Sequence, residues 1–286
     1  MKIFIYGGTG YLGRSLIGSL GKKYKFFATS RNTKKNITKA KLYIEKRDSK
    51  KIIKKLKESD LILIANGPSF KDSAKNLSSY IKYLNDLANL IAKVKKKKAK
   101  IIYFSSIHVY ENYKTQKSKI SDLLNSRSNY AIRNILCENL LLNKFKNQNI
   151  NIIRISNIFG IHKKLAELSD SFFRLSVNQF CLNVVKNKKI IIYSNLNEKR
   201  NFVSVNDFVN FIERAFILKN YKFNTIKDQS KKIMIESPKI KFLNKIKNSK
   251  INYKFDLKDI EKYKLEPKIS LKNEIENTLK KIQKLT

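Results

Sequence analysis

The sequence predicts an α/β fold built on a doubly wound parallel sheet, and three observations predict it. A short apolar run, Ile3 to Tyr6, is dense in strand-forming residues and leads directly into Gly7-x-x-Gly10-x-x-Gly13. A helical pattern follows without a spacer, with Leu12, Leu16, Ile17 and Leu20 on one side. Beyond it, strand-like apolar runs and amphipathic stretches alternate as far as Ile155, as they do where crossover helices join parallel strands.

The first strand is continuously apolar rather than alternating, as expected for a strand covered on both faces. Glycines suit the turn after it for three reasons: a tight bend, close approach of the backbone to a pyrophosphate, and close packing of helix on strand. The helix start adds free N–H groups and the positive end of a dipole. Gly7, Thr9, Gly10, Tyr11, Leu12 and Gly13 are therefore the candidate cradle of a dinucleotide, in a Rossmann-like arrangement. Lys25–Thr29 reads as the second strand and ends in Ser30-Arg31-Asn32. An acidic residue about twenty positions after the glycines grips a ribose 2′-OH, whereas an Arg accommodates a 2′-phosphate. Here the acid is missing and Arg31 stands beside Ser30, so NADP(H) is expected in preference to NAD(H).

Lys41–Ile44 is a third strand, followed by Asp48, Ser49 and a short helix, and Asp60–Ala65 is a fourth, ending in Asn66-Gly67-Pro68. A helix near Ala74–Val94 places Leu77, Ile81, Leu84, Ala88 and Ile91 on one face, and Lys100–Phe104 forms the fifth strand. Ligands of such sheets sit at the carboxyl ends of strands, which makes Asn66, Gly67 and the stretch Ser105-Ser106-Ile107-His108-Val109-Tyr110 candidates. A further helix opens at Tyr130-Ala-Ile-Arg-Asn134, with Ile135, Leu136, Leu140 and Leu141 as its apolar positions. Asn151–Ile155 is a sixth strand and overlaps Arg154-Ile-Ser-Asn157-Ile-Phe-Gly160. Farther on come Arg200-Asn-Phe-Val-Ser-Val-Asn-Asp207 and a last helix carrying Leu271, Ile275, Leu279 and Ile282. Residues 1–160 read as a dinucleotide-binding domain and 161–286 mainly as a smaller C-terminal substrate-binding lobe, with 200–218 returning to the core. A helical pattern (Phe172, Leu175, Phe180, Leu182, Val185) and a strand at Lys189–Tyr193 are expected to build much of that lobe.

Composition excludes several classes. A 42% hydrophobic content with 17 Phe supports a sizeable core and argues against disorder. A strand that starts at residue 2 leaves no room for a signal peptide, and runs such as Leu61–Ala65 are far too short to span a membrane. Cys137 and Cys181 lack metal or redox spacing, and His108 and His162 are far apart in sequence. A reduced, cytoplasmic setting without a metal site is expected. The net charge of +40 points to polyanions. Only nine of the 62 basic residues are Arg, however, and the lysines are scattered among many Asn and Ile, with Lys95–Lys98 the one tight run. Compositional drift accounts for that pattern better than nucleic-acid binding, which is not expected.

Five blocks in order, Gly7 to Gly13, Ser105 to Tyr110, Tyr130, Arg154 to Gly160 and Arg200 to Asp207, resemble the extended short-chain dehydrogenase/reductases, the nucleotide-sugar epimerase, dehydratase and reductase family. The resemblance runs over nearly the whole chain. It implies that Ser106 holds the substrate carbonyl or hydroxyl and that Tyr130 is the general acid/base while hydride crosses to or from a nicotinamide. It further implies that Asn157 and Arg200 face the diphosphate of a nucleotide sugar, and that Asp48 and Ser49 lie by the adenine. A homodimer formed through two helices beside the active site is also implied. Tyr130 as a packed helix start and Arg154 as a salt-bridge partner behind the site are the structural alternatives.

The chain departs from the family where Lys is expected four residues after the tyrosine. It has Asn134 there. A cation one turn along the helix would lower the tyrosine pKa through its charge and bind the nicotinamide ribose. Asn134 can hydrogen-bond a ribose hydroxyl but supplies no charge, and general acid–base help is worth about 10²–10⁴ in rate. Arg133 lies about 100° around the helix from position 134 and is expected to be a poor substitute. Ile107 and His108 stand where the dehydratase branch carries Asp-Glu, which argues against dehydration and leaves His108 as an extra acid or substrate contact. With Arg31 favouring an exchanging NADPH, the expected activity is reduction of a nucleotide-linked 4-keto sugar for surface polysaccharide synthesis. A C4 epimerase, or a catalytically impaired dinucleotide- or RNA-binding member, are the alternatives.

Overall fold

The computed structural model describes residues 1–30, 42–46, 50–65, 67, 77–94, 99–110, 128–145, 150–162, 168, 170–190, 202–218, 231–235 and 268–286. Its strands in chain order are β1 (Lys2–Tyr6), β2 (Lys25–Ser30), β3 (Leu42–Lys46), β4 (Leu61–Ile64), β5 (Lys100–Ser106), β6 (Ile150–Ile155), β7 (Asn157–Phe159), β8 (Phe202–Ser204) and β9 (Lys231–Ile235). The α-helices are α1 (Tyr11–Leu20), α2 (Lys50–Lys57), α3 (Leu77–Lys93), α4 (Asn129–Lys144), α5 (Ser176–Val185), α6 (Val205–Ile212) and α7 (Leu271–Leu285). Seven strands form a wholly parallel sheet in the order β3-β2-β1-β4-β5-β6-β9, and β7 and β8 pair in a second, two-stranded parallel sheet. The doubly wound sheet expected from the alternating pattern is present.

Alternation along β1 explains its continuous apolar run. Ile3 and Ile5 enter one layer with Leu16, Ile17 and Leu20 of α1 and with Phe208, Val209 and Ile212 of α6. Phe4 and Tyr6 enter the other, with Tyr83 and Leu87 of α3 and Cys137 and Leu141 of α4. Both faces of the strand are thus taken out of water, the condition under which a parallel strand loses its polar alternation. A third apolar cluster joins Phe159, Ile161, Phe172, Val177, Cys181, Phe202 and Ile282, and makes up the body of the smaller lobe.

Two helical faces differ from the expected pattern. In α3 the buried side chains are Tyr80, Tyr83, Leu87, Leu90 and Ile91, while Ile81 is 50% exposed. The tyrosines, counted as neutral by a purely aliphatic reading, supply the inner stripe. In α4 the buried positions are Ala131, Arg133, Asn134, Cys137, Glu138 and Leu141, whereas Leu136 is exposed. No regular structure covers Lys188–Ile190, and the rest of the strand expected at Lys189–Tyr193 lies outside the described residues. β9 adds an edge strand beside β6, so the chain returns to the main sheet after residue 218. Among the described residues, no helix is long and apolar enough to cross a membrane.

Candidate active site

β1 pairs with β2 on one side and β4 on the other, so the strand order reverses beside β1. The crevice at the carboxyl end of such a reversal is where open α/β sheets take ligands. The turn that fills it leaves no room for side chains at its key positions. Gly7 has φ +98°, a left-handed conformation that glycine adopts without penalty. A Cβ on Gly13 would collide with the Gly7 carbonyl and the Gly8 backbone, which are not free to move aside. The loop is pinned to β2 by Gly7 N–H donating to Thr29 Oγ1 (3.1 Å) and Gly8 N–H donating to the Thr29 carbonyl (3.2 Å). Ser30 Oγ donates to Thr9 Oγ1 at 3.2 Å, and buried Arg14 donates from Nε to the Thr9 carbonyl at 3.0 Å.

The start of α1 differs from those of α4, α6 and α7 and resembles that of α5, whose cap Leu175 also makes no side-chain bond. Ser128 caps α4 by accepting from Ala131 N–H, Ser204 caps α6 from Asn206 N–H, and Ser270 caps α7 from Asn273 N–H. At α1 the cap is Gly10, and no side chain is set over the first amides. Helix-start N–H groups need a partner, and a phosphate is a suitable one. The cradle therefore fits a dinucleotide: backbone donors, a helix end and no intruding Cβ. Tyr11 and Leu12 open that helix. The Tyr11 hydroxyl donates to the Gly160 carbonyl at 2.7 Å, and its ring meets Phe172 edge-on at 5.3 Å. This ties the glycine turn to the smaller lobe.

Ser106 ends β5 and caps a single 3-10 turn, Ile107–Val109, by accepting from His108 N–H at 3.3 Å. Its hydroxyl hydrogen is left to donate elsewhere. The His108 ring meets the Tyr130 ring edge-on, with centroids 5.9 Å apart. Ser106, His108 and Tyr130 thus lie along one connected edge, at the carboxyl end of β5 and the start of α4. Asn157 is the first residue of β7, half-buried, and Gly67 is exposed just beyond β4. Arg31, Asp48, Ser49, Asn66 and Arg200 lie outside the described residues.

Asn134 does not face that edge. Its Oδ1 accepts from the Tyr103 hydroxyl (2.8 Å) and from Arg133 Nη2 (3.0 Å), and its Nδ2 donates to the Tyr130 carbonyl (3.0 Å). At 1% exposure the carboxamide is turned inward, with its Oδ1 accepting two hydrogen bonds. Arg133, expected to be a poor substitute for that cation, packs against the tyrosine ring. Its guanidinium carbon lies 4.7 Å from the centroid of the Tyr130 ring and 5.3 Å from that of Tyr83. The expectation measured its angle from position 134; measured from Tyr130 it is the i+3 neighbour, and helical side chains lean back toward the preceding turn.

Arg154 has the structural role. Its Nη2 sits 2.6 Å from Glu138 Oε2, its Nε donates to Glu138 Oε1 at 3.0 Å, and its Nη1 bonds the Tyr110 hydroxyl. Ser105 donates to Glu138 Oε1 at 2.6 Å, so it faces this network while its neighbour Ser106 faces the turn. Glu138, two helical turns beyond Tyr130, carried no motif and was missed; a buried Arg without an obvious acid was the signal available. Glu274 of α7 was missed too. It accepts from Ser204 Oγ (2.8 Å) and from Asn206 Nδ2 (2.9 Å), and burial pushes its carboxyl up to about 7. Gly160, at φ +98°, has no Cβ because that carboxylate occupies the space. Asp207 holds the approach to α7 by accepting the Lys268 and Ile269 N–H groups. Both thiols are free and buried, and burial raises each to about 11.

Residues 3–224 match the model of the NAD-dependent epimerase/dehydratase family. The chain belongs to that family. Nucleotide-sugar epimerases and a dehydratase appear among similar solved structures. One is a UDP-glucuronic acid 4-epimerase variant from Bacillus cereus, bound to UDP-4-deoxy-4-fluoro-glucuronic acid and NAD. It is 17% identical, with all of both chains covered and a TM-score of 0.75. UDP-glucose 4-epimerase from Thermotoga maritima, with UDP-glucose, is 16% identical over 99% of each chain, with a TM-score of 0.73. dTDP-glucose 4,6-dehydratase from Bacillus anthracis, with NAD, is 16% identical over 99% of this chain and 97% of its own, with a TM-score of 0.71. At these identities the likeness shows the shared fold. No curated protein matches the sequence.

Proposed function

We propose that this family member is a cytoplasmic enzyme that reduces a nucleotide-linked 4-keto sugar. The observation that carries the reading is the meeting of Ser106, His108 and Tyr130 at one strand edge, in a chain whose glycine turn fits a dinucleotide. A bound nicotinamide dinucleotide supplies the hydride. Ser106 donates a hydrogen bond to the sugar oxygen, and Tyr130, half-buried and open to that edge, gives the same oxygen its proton. General acid help of this kind is worth about 10²–10⁴ in rate. His108, against the Tyr130 ring, orients the phenol or contacts the sugar. Asn157 and Arg200 serve the diphosphate, where charge-assisted bonds suit an Arg. Ser30 at the end of β2, with Arg31 next in the sequence and no acid beside them, supports NADPH as the hydride source.

A second reading has its own support. Two of the structures named above are UDP-sugar 4-epimerases, one of them bound to NAD, and a C4 epimerase would use Ser106 and Tyr130 in both directions. Dialysed protein separates the two. Oxidation of added NADPH by a 4-keto nucleotide sugar, followed at 340 nm and abolished by Tyr130→Phe, is the expected result. Interconversion of C4 epimers with no cofactor supplied would replace it with the epimerase reading. With no Trp in the chain, nicotinamide fluorescence also reports binding of NADPH against NADH with little protein background.

The same reading includes a homodimer. Ile81 on α3, and Ile132 and Leu136 on α4, are exposed large apolar side chains on two neighbouring helices. A pair of such helices from each of two copies would cover them.

A further inference from the structure

We propose that the cavity between α6 and α7 binds a small phosphate ester, at a site apart from the dinucleotide cradle and the Tyr130 edge.

Helical spacing builds this cavity. Asn206 and Asn210 lie four residues apart on α6, while Asn277, Lys280, Lys281 and Lys284 follow one i, i+3, i+4, i+7 stripe of α7. Each helix spends a different stripe on packing. Phe208, Val209 and Ile212 enter the layer beneath α1, and Ile282 enters the core of the smaller lobe. The polar stripes line a space of about 330 Å³, together with buried Ile161 and His162 beyond β7 and half-buried Ile269. Small-molecule sites span about 300–1,000 Å³, so there is room for a phosphate and a sugar-sized body. None of the lining residues belongs to the glycine turn or to the edge formed by Ser106, His108 and Tyr130.

The charge is one-sided. Three lysines reach this space from one helix, and neither Lys280 nor Lys284 takes part in an ion pair among the described residues. Lys281 is half-buried, and burial together with the Lys284 charge lowers its ammonium from the ordinary value. Cations suit a helix C-terminus, but that role does not call for a partly desolvated pair over a cavity. The two buried acids of the region are engaged with other donors. Glu274 accepts from Ser204 and Asn206, and Asp207 accepts from the Lys268 and Ile269 N–H groups. Neither lines the cavity. A phosphate dianion against Lys281 and Lys284 offsets their repulsion and forms charge-assisted hydrogen bonds. Asn210 and Asn277, exposed at the rim, supply carboxamide donors and acceptors for an attached sugar.

The test is isothermal titration calorimetry of the whole chain with glucose 6-phosphate and with inorganic phosphate, in about 0.15 M KCl. A net charge of +40 attracts anions to the whole surface, so the control must remove equal charge elsewhere. Lys51→Gln/Lys54→Gln, at exposed positions of α2, does so. Saturable binding is expected, tighter for glucose 6-phosphate than for inorganic phosphate. Lys281→Gln/Lys284→Gln should weaken it by about tenfold or more, and the control should leave it unchanged. The glycine turn is intact in every variant, so any phosphate it takes drops out of the comparison. Should the Lys281→Gln/Lys284→Gln variant fail to fold, Asn210→Asp sets a carboxylate over the same space from an exposed position and should also weaken binding. No saturable binding, or equal weakening in both lysine pairs, would overturn the site. Equal or tighter binding of inorganic phosphate would overturn its assignment to an ester.

Discussion

Helices α1 and α4 both pack on the main sheet beside a strand end, yet α1 puts its large aliphatic side chains inside and α4 leaves two of its own outside. α1 turns Leu16, Ile17 and Leu20 inward, onto Ile3 and Ile5 of β1. α4 turns Arg133, Asn134 and Glu138 inward and leaves Ile132 and Leu136 37% and 43% exposed. The first helix starts on Gly10 with no side-chain cap, and most of its buried side chains serve packing. The second carries polar side chains with fixed partners: a tyrosine at the edge, an arginine against its ring, and an acid that neutralises Arg154 of β6. Hydrophobic periodicity tells which side faces the protein only where packing is all a helix does.

The largest expected effect breaks the polar half. Glu138→Leu leaves Arg154, at 0% exposure, without its carboxylate, and removing one member of a buried pair costs about 3–5 kcal/mol. Chemical denaturation should show that loss, and Glu138→Leu/Arg154→Met should recover most of it. A loss below about 1 kcal/mol would mean the network is dispensable. The matching change in the apolar half is Leu16→Ala, which empties a fully buried site and should cost about 2–5 kcal/mol. Its rescue, unlike that of Glu138, requires volume rather than charge, so Leu16→Met should lose less than about 1.5 kcal/mol.

A third buried site sharpens the contrast by responding to pH. Glu274 is fully buried, and its carboxyl is raised from an ordinary 4.5 to about 7 by burial, against the bonds from Ser204 and Asn206. An acid with a higher pKa folded than unfolded binds more protons in the folded state. Stability is therefore greatest below about 4.5 and falls as pH rises through the window to about 7, then stays level. The fall is up to about 3 kcal/mol for a shift of this size. Glu274→Gln, which keeps acceptor and shape, should flatten that slope in denaturation measured from pH 4.5 to 8. An unchanged slope would assign the dependence to other groups.

The same contrast decides what was legible in the sequence. The strand order, the glycine turn and the inner face of α1 follow from apolar runs and from glycines that sterics impose at φ +98° or against a neighbouring backbone. Tyr130, Ser106 and His108 stood out because their blocks resemble those of the family, and the structure does bring them to one edge. The supporting residues were not. Glu138 and Glu274 are acids that sequence assigns to solvent, and they are buried because partners distant in the chain, Arg154, Ser204 and Asn206, pair with them. Arg133 reaches the Tyr130 ring because a long side chain extends farther than the angular position of its Cα indicates.

The smallest effect on the fold should come from the exposed side of α4. Leu136 is 43% exposed, and a surface change there alters stability by no more than about 0.5 kcal/mol. If the exposed apolar positions of α3 and α4 are the contact between two copies, Leu136→Lys sets like charges across a symmetric interface, since each copy presents the same residue to the other. Sedimentation should then show a dimer for the natural chain and a monomer for Leu136→Lys, with unchanged denaturation of the monomer unit. A natural chain that sediments as a monomer, or a variant that remains dimeric, would leave the inverted pattern of α4 to the buried polar network alone.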